Sequence, residues 1–260
     1  MHELQNEFLS IKVNPVGAEL SSLKNLETGI EHLWQGNPEF WASQAPNLFP
    51  VIGVLKEGNK LVFQLECSAE TLEIYPFKFR FEISFQLNKK SLTVHHHIFN
   101  LDDKPLYFSL GGHPAFNAPI NENEVYEDYH LEFDRKMDLR TYILNEDGLV
   151  SDTTEGILDN EDKIRLHKEL FAKDALIFKN IPSKKVVLKS KNSGSILSVE
   201  YKDFKNLGIW AKPGAPYVCI EPWLGIADVE GTDQNLKTKE GIETLAAGKD
   251  FQAAYTIDIT

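Results

Sequence analysis

The chain has 260 residues, 42% of them hydrophobic, and 27 Lys and Arg against 39 Asp and Glu give a formal net charge of -12. That length suffices for one β-sandwich with a sizeable core, and the charge argues against nucleic acid or an anionic membrane surface as a partner. Acidic and basic residues are interspersed, two cysteines (Cys67 and Cys219) make no disulfide framework, and no apolar stretch approaches the roughly 20 residues of a membrane span. The opening Met1-His-Glu-Leu-Gln-Asn-Glu7 lacks the basic and apolar regions of a secretory leader. The expectation is a cytoplasmic protein with one domain over residues 1–260 and an oligomeric state the sequence leaves open.

In chain order, Leu9-Ser-Ile-Lys-Val13 alternates apolar and polar residues and predicts a strand. Asn37 to Ala42 is a short helix candidate. Phe77-Lys-Phe-Arg-Phe-Glu-Ile-Ser-Phe-Gln-Leu87 then alternates without error, with Phe77, Phe79, Phe81, Ile83, Phe85 and Leu87 on one side. Period two over that length specifies a half-buried antiparallel strand. The polar Asn88-Lys-Lys-Ser91 and the alternating Leu92, Val94, His96 and Ile98 complete a predicted hairpin. Further strands are predicted over Tyr129–Phe133, Val186–Leu188, Ile196–Tyr201 and Phe251–Ile259, and short helices over Lys163–Phe171 and Lys239–Leu245. Many short strands between turn signals predict an all-β sandwich.

Three consecutive histidines, His95, His96 and His97, invite a metal reading, because His95 and His97 share one face of a strand. No third ligand is placed by spacing and His96 falls on the apolar face, so no metal is assigned. Neither cysteine has a partner at ligand spacing, and no nucleotide or serine-hydrolase motif appears.

Two segments carry the chemistry. In Ser109-Leu-Gly-Gly-His-Pro-Ala-Phe-Asn-Ala-Pro119 a glycine pair precedes His113, allowing a tight turn and close ligand approach. An imidazole there is suited to passing protons near neutral pH. In Tyr217-Val-Cys-Ile-Glu-Pro-Trp223 a single carboxylate, Glu221, ends an apolar run beside a tryptophan, a setting that raises a carboxyl pKa toward the range of a general base.

These segments, with Lys173-Asp-Ala-Leu-Ile-Phe178, Leu207-Gly-Ile-Trp-Ala-Lys-Pro-Gly214 and Asn47-Leu-Phe-Pro-Val-Ile-Gly53, resemble the aldose 1-epimerase (galactose mutarotase-like) family, in its shorter bacterial branch. The resemblance covers nearly the whole chain. It implies a large antiparallel β-sandwich with a few short helices, and interconversion of the α and β anomers of an aldohexose without a cofactor. It further implies Glu221 as general base, His113 as general acid, and Asp174 as a ligand of sugar hydroxyls. Asn117 and Trp223 are further substrate-binding candidates, and Trp210 and Trp223 could stack on a pyranose face or pack in the core.

Two departures stand against that pattern. The family's arginine after Ile-Gly is Val54 here, and valine supplies no donor. The chain also runs directly from Lys60 to Leu61, where relatives carry a further segment with a substrate-contacting histidine. One lost donor typically costs about 2.7–4 kcal/mol of transition-state stabilisation. The readings are therefore a working epimerase, a non-catalytic carbohydrate-binding protein, or a destabilised remnant. A hexose-6-phosphate mutarotase is disfavoured by the four scattered arginines, Arg80, Arg135, Arg140 and Arg165, none of which lies in a site motif.

Overall fold

The computed structural model describes residues 1–41 and 51–260. The motif at 47–50 lies outside the described residues. β1 (His2–Gln5), β2 (Leu9–Asn14) and β3 (Glu19–Asn25) form a three-stranded antiparallel sheet. β4 (Val51–Glu57) and β5 (Lys60–Glu66) then make a hairpin, followed by helix α1 (Ala69–Ile74) and the hairpin of β6 (Phe79–Asn88) with β7 (Ser91–Asn100). Next come β8 (Leu106–Phe108), β9 (Ala115–Asn117), β10 (Tyr129–Leu144), β11 (Val150–Arg165), β12 (Leu176–Phe178) and β13 (Lys185–Ser190). The chain ends with β14 (Gly194–Glu200), β15 (Asn206–Trp210), β16 (Tyr217–Trp223), β17 (Glu243–Leu245) and β18 (Asp250–Ile259). A thirteen-stranded antiparallel sheet runs β4-β5-β6-β7-β18-β14-β13-β10-β12-β15-β16-β9, with β11 on β10, while β8 and β17 pair apart. Among the described residues no helix is long and apolar enough to cross a membrane.

The strands follow the alternation. Phe79, Phe81, Ile83, Phe85 and Leu87 of β6 are all buried, each worth about 1.5–3 kcal/mol when fully withdrawn from water. Their partners on β7 follow in strict register, from Phe79 opposite Asn100 to Asn88 opposite Ser91, across the two-residue link of Lys89 and Lys90. Phe77 is buried just ahead of β6. The strands predicted over Leu9–Val13, Tyr129–Phe133, Val186–Leu188 and Phe251–Ile259 lie within β2, β10, β13 and β18; that over Ile196–Tyr201 starts two residues inside β14 and runs one residue past its end.

The predicted helices are corrected. Lys163 to Arg165 end β11, where Lys163, Ile164 and Arg165 pair with Glu132, Leu131 and His130, and turns follow to Phe171. Glu243 to Leu245 form β17 against β8, and Gly241 before them takes φ +75. Asn37 and Trp41 bridge across a turn whose Glu39 N–H is accepted by the Asn37 side chain; Ala42 lies outside the described residues. In the first two cases a ladder of backbone hydrogen bonds outweighs a local helical preference of a few tenths of a kcal/mol per residue. The α-helix formed among the described residues, α1, has six residues and so carries no periodic signal in the sequence. A capping box sets its start: the Ser68 hydroxyl accepts from the Thr71 N–H, and the Thr71 hydroxyl accepts from the Ser68 N–H.

The direct run from Lys60 to Leu61 also has a structural form. Glu57 pairs with Lys60, so only Gly58, at φ +56, and Asn59 link β4 to β5. The Asn59 side chain donates to the Leu87 carbonyl and fastens the turn to β6. Val54 sits on the terminal strand of the large sheet, opposite Phe63 and half-buried.

Candidate active site

His113 and Glu221 are cross-strand neighbours. β9 pairs with β16 through Tyr217–Asn117, Val218–Phe116 and Cys219–Ala115. The same register continues beyond β9, as the Ile220 N–H donates to Pro114 O, the Gly112 N–H donates to Pro222 O, and Gly111 bridges Trp223. His113 therefore falls opposite Glu221, and alternation puts both on one face with Cys219 and Tyr217. The His113 Nε2 lies 3.4 Å from a Glu221 carboxylate oxygen.

The glycine pair works differently from a tight turn. Neither Gly111 nor Gly112 is at positive φ, and both lie along the extended pairing with β16. Each leaves room for a ring: a Cβ on Gly111 would lie 2.6 Å from Trp223 Cδ1, and one on Gly112 would lie 2.6 Å from Tyr255 Cε1. Gly208, opposite Glu221 on β15, does the same, since its Cβ would lie 2.3 Å from Trp223 Cζ2. Trp223 is thus laid flat over two glycine positions, with its indole hydrogen-bonding toward Glu221.

Electrostatics follow from enclosure. Glu221 is only 2% exposed, and burial, reinforced by the like charge of Asp174, pushes its carboxyl up to about 8, against the lowering effect of the Trp223 hydrogen bond. His113 keeps about a third of its side chain open (35%). Burial of the rest lowers its pKa, and its Nδ1 is enclosed without a partner. Trp41 covers the imidazole at 5.5 Å between ring centroids, and Trp210 meets both Trp41 and His113 edge-on. A cavity of about 260 Å³ opens along His113, Gly111 and Gly112, and is bounded on its far side by His96, Tyr255 and Ile83.

Asp174, just before β12, is exposed and holds a left-handed backbone at φ +79, its carboxylate accepting from the Ala175 N–H. Its charge acts on Glu221, so the fold brings it to the same site. Asn117 shares the His113 face, but its amide donates to the Glu31 and Leu33 carbonyls and ties β9 to the segment before Trp41. Trp41 and Cys219 were not singled out for the site in the sequence. Nothing in the local pattern around Trp41 marks it, whereas the alternation in Tyr217–Trp223 does put Cys219 beside Glu221.

The histidine run is split. His96 is buried and stacked between Phe81 and Tyr255, while the His97 imidazole hydrogen-bonds the Asp250 carboxylate. The metal-ligand grouping found among the described residues is His113, Cys219 and Glu221, whose ligand atoms all lie within 4.8 Å of one another.

Comparison with known proteins bears on the family and the fold. The model of the family described as aldose 1-epimerase matches residues 49–238. Protein LacX of Lactococcus lactis subsp. lactis is 32% identical over 296 positions, covering 99% of this chain and 98% of its own. That span exceeds the 260 residues here, so the relative carries residues this chain lacks. A galactose mutarotase related enzyme from Lactobacillus acidophilus superposes with a TM-score of 0.91 at 29% identity, over 100% of this chain and 97% of that one. A galactose mutarotase-like protein from Lactobacillus casei superposes at 0.90 and 27% identity, over the full length of both.

Proposed function

Because the chain belongs to the aldose 1-epimerase family, we propose that it interconverts the α and β anomers of a free aldohexose, with His113 and Glu221 as its proton-transfer pair. The observation that carries this reading is their 3.4 Å contact, enclosed by tryptophans and beside a cavity. One member of the pair takes the proton of the anomeric hydroxyl while the other protonates the ring oxygen, and the bond between C1 and that oxygen breaks. The open-chain aldehyde turns about C1–C2 and recloses on its other face with the roles reversed. Protons are exchanged and none is consumed, so the pair suffices.

The protonation of the pair supports this chemistry. Near pH 7 Glu221 retains its proton and His113 is neutral, so the two groups share one mobile proton. Its passage across the contact gives a carboxylate base and an imidazolium acid. Groups coupled this closely titrate as a unit, so activity follows the proton count of the pair. Asp174 would hold sugar hydroxyls and Trp223 would offer a flat apolar face to the pyranose; Asn117, whose N–H groups are engaged, would contribute only its side-chain oxygen. A neutral sugar is favoured over a phosphorylated one. Arg80 lies against Glu82 and over Phe99, Arg135 pairs with Asp134, and Arg140 donates to Thr154.

The test is polarimetry of freshly dissolved α-D-glucose and α-D-galactose with the protein and with Glu221→Gln. Acceleration proportional to protein concentration, abolished in the variant, supports the reading. A background rate for both sugars refutes catalysis; if the sugars still quench tryptophan fluorescence, the protein binds carbohydrate without turning it over.

A further inference from the structure

We propose that His113, Cys219 and Glu221 form a binding site for a thiophilic divalent cation, Zn²⁺ by preference, and that its occupancy shuts off proton transfer at the same pair. The three ligand atoms lie within 4.8 Å of one another, one from each residue. They converge because of strand geometry. Cys219 and Glu221 are two apart on β16 and share a face, and His113 stands opposite Glu221 in the continued β9 register. Zinc bonds of about 2.0–2.3 Å put tetrahedral ligand atoms on the order of 3.5 Å apart. His113 and Glu221 already meet at 3.4 Å, and no two of the three ligand atoms are more than 4.8 Å apart, so closure asks for shifts of about 1 Å.

The donor set selects the ion. One sulfur, one imidazole nitrogen and one carboxylate oxygen suit zinc, whereas magnesium and calcium take oxygen ligands. Three protein ligands leave a fourth position for water, and the cavity reaches the His113 ligand, while Cys219 and Glu221 lie buried behind it. On binding, the thiol proton and any proton on the carboxyl pass to bulk water, and the imidazole binds neutral. No redox partner is involved. A metal seated there takes the lone pairs that proton transfer uses. That inhibitory consequence rests on the catalytic reading of the pair, but the metal site does not.

The experiment uses the full chain carrying Cys67→Ser, which removes the other free thiol. Cobalt(II) alone is the optical probe. One equivalent should produce a sulfur-to-cobalt charge-transfer band that Zn²⁺ abolishes. X-ray absorption of the zinc-loaded protein should show one sulfur at about 2.3 Å. Cys219→Ser and Cys219→Ala should each weaken zinc by more than the 10–100-fold that loss of an outer-shell partner costs. An absorption spectrum with nitrogen and oxygen ligands alone overturns the proposal, and so does unchanged affinity in folded Cys219 variants. Because the X-ray measurement needs no Cys219 variant, it decides the matter even if both variants misfold. Zinc-dependent arrest of mutarotation supports the second half. Zinc bound through Cys219 in a protein that never accelerates mutarotation refutes the catalytic reading while sustaining the metal site.

Discussion

Gly111 faces Trp223 across an antiparallel bridge, and a methyl group on Gly111 would lie 2.6 Å from the indole Cδ1 and 2.9 Å from the Pro222 carbonyl. The tryptophan beside the His113–Glu221 pair is therefore held by absence of a side chain opposite it.

Gly111→Ala and Gly208→Ala should both displace Trp223, since neither methyl fits under the ring. Overpacking of this kind costs about 1–3 kcal/mol. Moving the indole also removes the hydrogen bond that favours the charged form of Glu221. We expect a lower melting temperature, altered tryptophan emission and a mutarotation rate lowered by up to roughly 100–1000-fold, by analogy with loss of one positioned donor. Unchanged emission and rate in both variants would show that Trp223 has no part in the site.

Glu221 is a stability cost near neutrality. Its folded pKa, about 8, lies above the ordinary value of 4.5, so the folded state holds a proton that the unfolded state releases. Its contribution is fully present below pH 4.5 and is lost as pH rises through 8. Each pH unit in that window corresponds to at most about 1.4 kcal/mol. Glu221→Gln should thus match the parent in denaturant midpoint at pH 4.5 and exceed it increasingly up to pH 8. A constant difference across that range would contradict the assignment.

Two buried imidazoles act in the opposite direction. Burial lowers His32 and His96 from 6.5 to about 4. For a group whose folded pKa is depressed, stability is present above the unfolded value and is lost as pH falls from 6.5 through 4. His96→Phe, set between Phe81 and Tyr255, should leave stability at pH 7.5 little changed and flatten its fall toward pH 4.5. Parallel curves for the variant and the parent would refute it.

Asp174 adds a like charge that raises the Glu221 pKa. Removing it in Asp174→Asn should move the alkaline fall in mutarotation, centred near pH 8 in the parent, to lower pH. If Asp174 also holds sugar hydroxyls, KM rises in the same variant. A pH profile that does not move would mean that solvent screens the two carboxylates from each other at this site.

Much of the fold was legible because period two is a strong local signal. The run from Phe77 to Leu87 is buried where the alternation says, and the Asn88–Ser91 link closes its hairpin. The helices read over Lys163–Phe171 and Lys239–Leu245 failed because Lys163–Arg165 pair with β10 and Glu243–Leu245 with β8, partners distant in sequence, and turns take the rest. A local pattern of mixed apolar and charged residues carries no information about such partners.

For the site, the sequence by itself determined the chemistry on offer: one histidine behind two glycines, one glutamate ending an apolar run, and the family they resemble. Only the tertiary structure decided that His113 and Glu221 stand opposite one another at 3.4 Å, that the glycines accommodate the rings of Trp223 and Tyr255, and that Cys219 joins the pair. The physical reason is that strand register, set by hydrogen bonds between segments about a hundred residues apart, fixes which side chains share a face. Burial on that face then sets where their protons reside.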